Sequence, residues 1–307
     1  MSGNMRNNPN QVIGYLCLIL LVPASGCRAI QSFGDSSQSI TARGLSGQGF
    51  QAMYEGDWAT AESLFLNAVE LSEGDDRAHW GLAESYWNRG DRELAIQQMQ
   101  RAVELSAGDP KLVQRLGRMH LELGRIDEAD DHSQWALESD RQSAEAWALK
   151  GDCLKASEEW DDALAAYHRA LAIQPDFTQV QIKTAEIYLS QFRHDRVLAT
   201  LDRVQDERGM TESPAKVDLL RGIAMRELGR LEDARRCFVR ASEKAPSDAT
   251  PHLQLAELAL LQGKRKDAEI AVAHAREREI SSVDEENWIL QLEQNQSRIA
   301  SLPSRNR

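Results

Sequence analysis

Chemistry in a protein needs reactive side chains held together, so the acidic pairs, histidines and cysteines of this 307-residue chain come first. Paired carboxylates can divide acid and base work when their surroundings push their protonation apart. Glu158-Glu159, Asp161-Asp162 and Asp130-Asp131 have the right types. Each pair falls at an expected turn or helix start, where a carboxylate favours the helix dipole or faces water. We assign them no acid–base role. The seven histidines are scattered, with none paired at helical spacing for a metal. His79, His120 and His252 fall on expected helices, where a satisfied structural histidine is far commoner than a ligand. A glycine-rich phosphate loop and a nucleophile elbow are both missing from the sequence. No two of the four cysteines have the close spacing of a zinc or redox site. Cys153 and Cys237 read as buried thiols used as small apolar residues. The expectation is a chain that is not an enzyme, with no catalytic residue, metal or cofactor.

The composition, 42% apolar and 27% charged, is that of an ordinary globular protein. A formal net charge of -12 argues against nonspecific nucleic-acid binding, which needs basic side chains against phosphate. The length admits two compact domains or one elongated array of repeats.

Cys27 is the one cysteine whose surroundings suggest chemistry. The stretch "QVIGYLCLILLVPASGC" ends on it, and its continuous apolar run extends from Val12 to Val22. That run is well short of the roughly 20 residues a helix needs to span a bilayer, and it suits the core of a secretory signal. Ala24-Ser25-Gly26-Cys27 resembles a bacterial lipobox, although Ala24 stands where leucine is usual. The resemblance implies cleavage before Cys27 and lipidation of its thiol, hence a bacterial envelope protein held to a membrane and facing the periplasm. Arg28 in place of aspartate leans the expectation toward the outer rather than the inner membrane. The alternatives are a generic cleaved signal and an uncleaved anchor. After the leader, positions 27–41 are polar and rich in serine and glycine, which reads as a flexible tether.

The elements beyond the tether repeat. Ala61, Ala95, Ala129 and Ala163 follow one another at a constant interval, and after a short insertion Ala234 and Ala268 keep the same interval. Valine takes the fifth place at Val197. Two helical turns after each comes a second small side chain, from Ala68 to Ala275, with Phe65, Met99, Tyr167, Leu201 and Phe238 between the two. Gly56, Gly90, Gly124, Gly229 and Gly263 recur shortly before the first alanine, where a first helix would end and turn. Two small residues on one stripe let a neighbouring helix lie close, and the larger side chain fills the space between.

This interval, with "HWGLAESYWNRGD" and "AWALKGDCLKASEEWDDALAAYHRALAIQPD", resembles that of the tetratricopeptide repeat. Each unit of that family is a helix–turn–helix of about 34 residues. The resemblance implies an all-α, right-handed superhelical solenoid. Seven units are expected, at about 42–75, 76–109, 110–143, 144–177, 178–214, 215–248 and 249–280. A capping helix over 281–302 and a tail, 303–307, complete the chain, with Trp288, Leu292 and Ile299 on the cap's apolar stripe. The fifth unit, with Phe192 for the turn glycine and a lengthened end, is expected to be the least regular.

The family commonly binds peptides in a concave groove lined by its first helices. Here the period assigns Phe50, Met53, Tyr54, Trp80, Glu84, Trp87 and Asn88 to that face in the first two units. Polar Lys111, Gln114, Arg118, Asp152 and Lys155 follow, then aliphatic Ile182, Leu219, Ile223, Leu253 and Leu260. The implied partners are peptide segments of other envelope proteins, in the assembly of a pilus, secretion or outer-membrane complex. The alternative is a non-catalytic targeting subunit of an envelope enzyme such as a glycosyltransferase.

Overall fold

The structure, a computed structural model, describes residues 37–208 and 212–277, without the side chains of 205–208. Cys27 with its leader, and the helix expected over 281–302, lie outside the described residues. What is described is helical, with no strand, and falls into two compact units divided between Ala95 and Ile96. The first holds α1 (Ser37–Tyr54), α2 (Trp58–Leu71), α3 (Asp76–Arg89) and the start of α4 (Arg92–Leu105). The second continues α4, then holds α5 (Pro110–Glu122), α6 (Ile126–Ser139), α7 (Ala144–Ala156), α8 (Trp160–Ile173) and α9 (Thr178–Ser190). It ends with α10 (His194–Arg208), α11 (Ala215–Glu227), α12 (Leu231–Lys244), α13 (Thr250–Leu261) and α14 (Arg265–Arg276). Within each unit helices pack in succession, in the pairs that the sequence period predicts. No described helix is long and apolar enough to cross a membrane. Positions 37–41, expected in the tether, already belong to α1, where the Thr41 hydroxyl donates to the Ser37 carbonyl at 2.8 Å.

The repeating alanines are all buried, and Val197 and Val204 of the fifth repeat are fully buried too. The core of a repeat is a fit between two positions at a fixed offset, one on each helix of the pair. Gly49 pairs with Phe65, Gly151 with Tyr167, and Gly222 with Phe238. A Cβ added at Gly151 would lie 2.5 Å from the Tyr167 ring, and one at Gly49 2.7 Å from Phe65. Phe65 is also wedged against Gly81 of α3, so it joins three helices. Where the large residue is smaller, the small one grows: the fifth repeat has Ala185 with Leu201. The third repeat breaks the rule, because Gly117 and Ser133 hold the equivalent positions. Leu149 from α7 takes that space, 2.7 Å from where a Gly117 Cβ would sit.

Caps tie one repeat to the one before it. Asp75 accepts from the backbone of Arg77 and Ala78 at the start of α3, and from the Ser46 hydroxyl of α1 at 2.9 Å. Ser143 does the same for α7, capping Ala146 while the Gln114 amide of α5 donates to it at 3.1 Å. One polar group thus satisfies orphan helix donors and marks the register of its neighbour. The lengthened end of the fifth repeat is anchored at Ser213, whose carbonyl and hydroxyl both accept from Lys244 at 2.9 Å. Lys244 and Arg240 together enclose the fully buried carboxylate of Asp218.

The turns repeat as well. Gly56, Gly90, Gly124, Gly229 and Gly263 all have positive φ. In the fourth and fifth repeats the same turn position is held by Glu158 (φ 63°) and Phe192 (φ 58°), where a Cβ is strained. Replacing Glu158 with glycine therefore raises stability by about 1 kcal/mol, net of the chain entropy glycine adds. Gly151→Ala has the opposite sign, costing about 1–3 kcal/mol by overpacking Tyr167. Urea unfolding followed by circular dichroism reads both changes.

The third repeat carries two histidines, with the rings of His120 and His132 5.4 Å apart. Burial and the neighbouring His120 hold the His132 imidazole below the usual range, against the opposing charges of Asp131 and Glu128. His168 is lowered too, by burial and by the positive Arg203 and Arg196. A histidine with a depressed folded pKa binds fewer protons folded than unfolded, so stability is full above about 6.5 and is lost as pH falls below it. The melting temperature should drop from about pH 7.5 to about pH 5.5, and less steeply in the double variant His132→Gln/His168→Gln. Glu186, held below the usual carboxylate range, titrates only below that window.

Candidate functional site

The residues expected to bind a partner in the first two repeats do not form one uniform patch. Phe50 on α1 and Trp80 on α3 come together, ring centroids 4.9 Å apart. Phe50 also meets the buried Phe65 edge-on at 5.0 Å, so its inner edge belongs to the core. Trp80 is half-buried, and its indole Nε1 donates to Glu84 at 3.4 Å. The Arg77 guanidinium, not foreseen from the sequence, lies 5.4 Å above the Phe50 ring. Trp87 is half-buried under Arg92, 4.2 Å from its ring. Met53 packs against the core, whereas Tyr54, 90% exposed, and Asn88 face solvent. The result is a Phe50–Trp80 pair with a cation on one side and a carboxylate on the other. An amphipathic aromatic so framed offers apolar area with directional polar edges.

Farther along, the polar side chains pair across successive first helices. Lys183 on α9 donates to Asp152 on α7 at 2.8 and 2.6 Å, and Lys155 on α7 to Glu186 on α9 at 2.6 Å. Lys216 on α11 reaches Glu186 from the other side at 3.4 Å. Arg226 on α11 reaches Glu257 on α13 in the same way. The partners Asp152–Lys183, Lys155–Glu186 and Arg226–Glu257 share one sequence separation, a repeat less one helical turn. Burial opposes ionisation of Glu186, but its bonds to Lys155 and the charge of Lys216 win and hold its carboxyl below the usual range. Tyr167 joins core to face, its ring against Gly151 and its hydroxyl donating to Asp152 at 2.6 Å. Burial and the Asp152 charge push that hydroxyl far upward, so it stays a donor.

Arg118, Trp160 and Phe177 share a cleft of about 550 Å³ with Asp152, Lys155 and Lys183. Sequence reasoning places Arg118, Asp152 and Lys155 on this face and misses Trp160, Phe177 and Lys183. Ile182 and Leu219, expected in the groove, are instead core residues, each 6% exposed. Their helices are clasped by neighbours on both sides, so that stripe is spent on stacking. Gln114 is likewise buried, bonded to Ser143, while Lys111 is exposed. Ile223, Leu253 and Leu260 are half-buried.

His79 and the two described cysteines are held within the fold. The His79 ring nitrogen meets the Glu73 carbonyl at 3.2 Å. Cys153 and Cys237 are free, buried thiols; burial and the nearby Asp130 push Cys153 up to about 12. Burial raises Cys237 as well. Such thiols are poor nucleophiles. Among the described residues no three His, Cys, Asp or Glu side chains are grouped to hold a metal.

Comparison with known proteins agrees with the packing. The Photosystem I assembly protein Ycf3 of Parasynechococcus marenigrum (strain WH8102) is 30% identical over 102 residues. That match spans 32% of this chain and 59% of the relative, little more than half its length. A tetratricopeptide repeat protein from Parabacteroides merdae superposes with a TM-score of 0.63 at 12% identity, covering 80% of this chain and 96% of that one. PilW, a widely conserved type IV pilus biogenesis factor, gives 0.61 at 18% identity, covering 69% and 96%. At such identities the likeness is one of fold. The family itself is settled by the repeats: tetratricopeptide-repeat profiles match residues 50–110, 87–153, 144–177 and 219–278, more than half of the sequence. Helix pairs in succession, small residues clasping large ones and these matches agree, and the chain belongs to the tetratricopeptide-repeat family.

Proposed function

We propose that this protein is a membrane-tethered adaptor whose repeats hold segments of other envelope proteins while a larger complex is assembled. The observation that carries the binding claim is the Phe50–Trp80 pair, framed by Arg77 and Glu84 on two successive first helices. Neither ring is fully buried. Half-buried aromatics with polar edges are common anchors of protein interfaces. The likeness to Ycf3, an assembly protein, and to PilW, a pilus biogenesis factor, supports an assembly role. Anchoring rests on the Ala24-to-Cys27 motif, and Arg28 favours the outer membrane.

Two measurements test the reading. In pull-downs from detergent-solubilised envelope, Trp80→Ala/Trp87→Ala should weaken capture roughly thirtyfold, the equivalent of about 2 kcal/mol. Losing the Phe50–Trp80 pair and the Arg92–Trp87 stack together costs about 1–2.5 kcal/mol, so the melting temperature should fall by no more than about 10 °C. A sharp fall would make these tryptophans core residues instead. Separately, Cys27→Ala should move the protein from the membrane to the soluble fraction, and intact mass of the wild type should include a diacylglycerol. Wild type found soluble, or cleaved elsewhere, would refute the anchor.

A further inference from the structure

The cleft between α5, α7 and α9 has a charge and a shape that the fold does not explain. Arg118 projects at its rim, exposed, with no hydrogen-bond or ion-pair partner among the described residues. The neighbouring carboxylates are already engaged: Asp152 by Lys183 and Tyr167, Glu186 by Lys155 and Lys216, Glu122 by Arg115. Arg118, Lys155 and Lys183 line the cleft with Glu122 and Asp152, so it holds one cation more than carboxylate, in a chain of net charge -12. Its apolar lining includes Trp160, 37% exposed, and Phe177, half-buried. The volume, about 550 Å³, lies within the range of pockets that enclose a few side chains.

We infer that this cleft seats a short partner segment carrying carboxylates beside an aromatic or large aliphatic side chain. The inference rests on the adaptor reading and adds the chemistry that the second compact unit selects. Arginine is suited to the carboxylate, because its planar fork donates two parallel hydrogen bonds. Trp160 and Phe177 receive the apolar side chain, whose burial provides the anchor. The surrounding acidic surface repels such a segment elsewhere on the molecule and directs it here. A polyanion without apolar groups would meet only half of the site.

The test is fluorescence anisotropy on the full chain with three labelled probes. One is a short peptide with Asp and Glu flanking a Trp-Leu core, one its charge-reversed analogue with Lys, and one a single-stranded oligonucleotide of equal charge. The acidic peptide should bind best, and raised salt should weaken it. Arg118→Glu and Trp160→Ala should each weaken it at least about tenfold, whereas Lys111→Glu, outside the cleft, should not. Arg118 is exposed, so its substitution leaves the fold intact, as a melting curve would verify. Equal binding of the Lys peptide or the oligonucleotide, or indifference to Arg118→Glu, would overturn the inference. Partner capture from envelope distinguishes the two readings. If Arg118→Glu retains capture while the peptide never binds, the cleft inference fails and the adaptor stands. If Trp80→Ala/Trp87→Ala retains capture while the peptide binds through Arg118, the Phe50–Trp80 face fails and the cleft stands.

Discussion

The structure depends on how closely two helices of a pair can approach. Gly151 brings the backbone of α7 against the face of the Tyr167 ring, and Gly222 does the same for Phe238. An interior is close-packed, so a glycine is destabilising in a helix unless the space it opens is filled. Here an aromatic fills it, and the cost in helix propensity is offset by dispersion contacts over a whole ring. The fit also fixes register, because a shift of one residue would drive a Cβ into that ring. Alanine at 185 with leucine at 201 is the same solution with volume moved from one partner to the other.

That core then positions the face. Tyr167 is held at its ring by Gly151 and presents its hydroxyl to Asp152, which in turn receives Lys183 from the next first helix. Partly exposed ion pairs of this kind contribute little stability, about 0–1 kcal/mol each. Their effect is to fix geometry: each cation is assigned one carboxylate, and the pairs recur at one spacing because the helices step by one repeat. Once Asp152 and Glu186 are engaged, Arg118 is the group left over.

What the sequence makes legible follows from this division. The alanines, the turn glycines and the helix pairs are readable because each recurs at a fixed offset and answers to backbone geometry alone. The glycine that accepts the aromatic also stands at a fixed offset before it, but it alternates with alanine, so its role shows only beside its partner. The face is harder. Ile182 and Leu219 carry the same period as Phe50 and Trp80, yet they are buried while the latter are half-exposed. Periodicity gives the direction in which a side chain leaves its helix; neighbours on both sides decide whether it reaches water. Trp160 and Phe177 escape the sequence for a related reason. They lie at the first turn of α8 and just before α9, at the ends of helices where the face period no longer applies.

Repeat architecture also separates what must be kept from what can vary. Stacking uses the alanine stripe, the glycine–aromatic fit and the caps at Asp75 and Ser143. A change at any of these propagates to a neighbouring repeat, since each is shared by two helices or more. Arg77, Trp80, Arg118 and Trp160 touch few such groups. A protein built this way can vary such residues without altering how it folds, because they carry little of the stacking energy. The same reasoning explains why fold likeness to the Parabacteroides protein and to PilW extends over most of the chain at only 12% and 18% identity. The stacking positions are few and tolerate several solutions. Recognition by this chain must then be sought in the residues where stacking imposes nothing, and the unpaired Arg118 beside two aromatic walls is such a place.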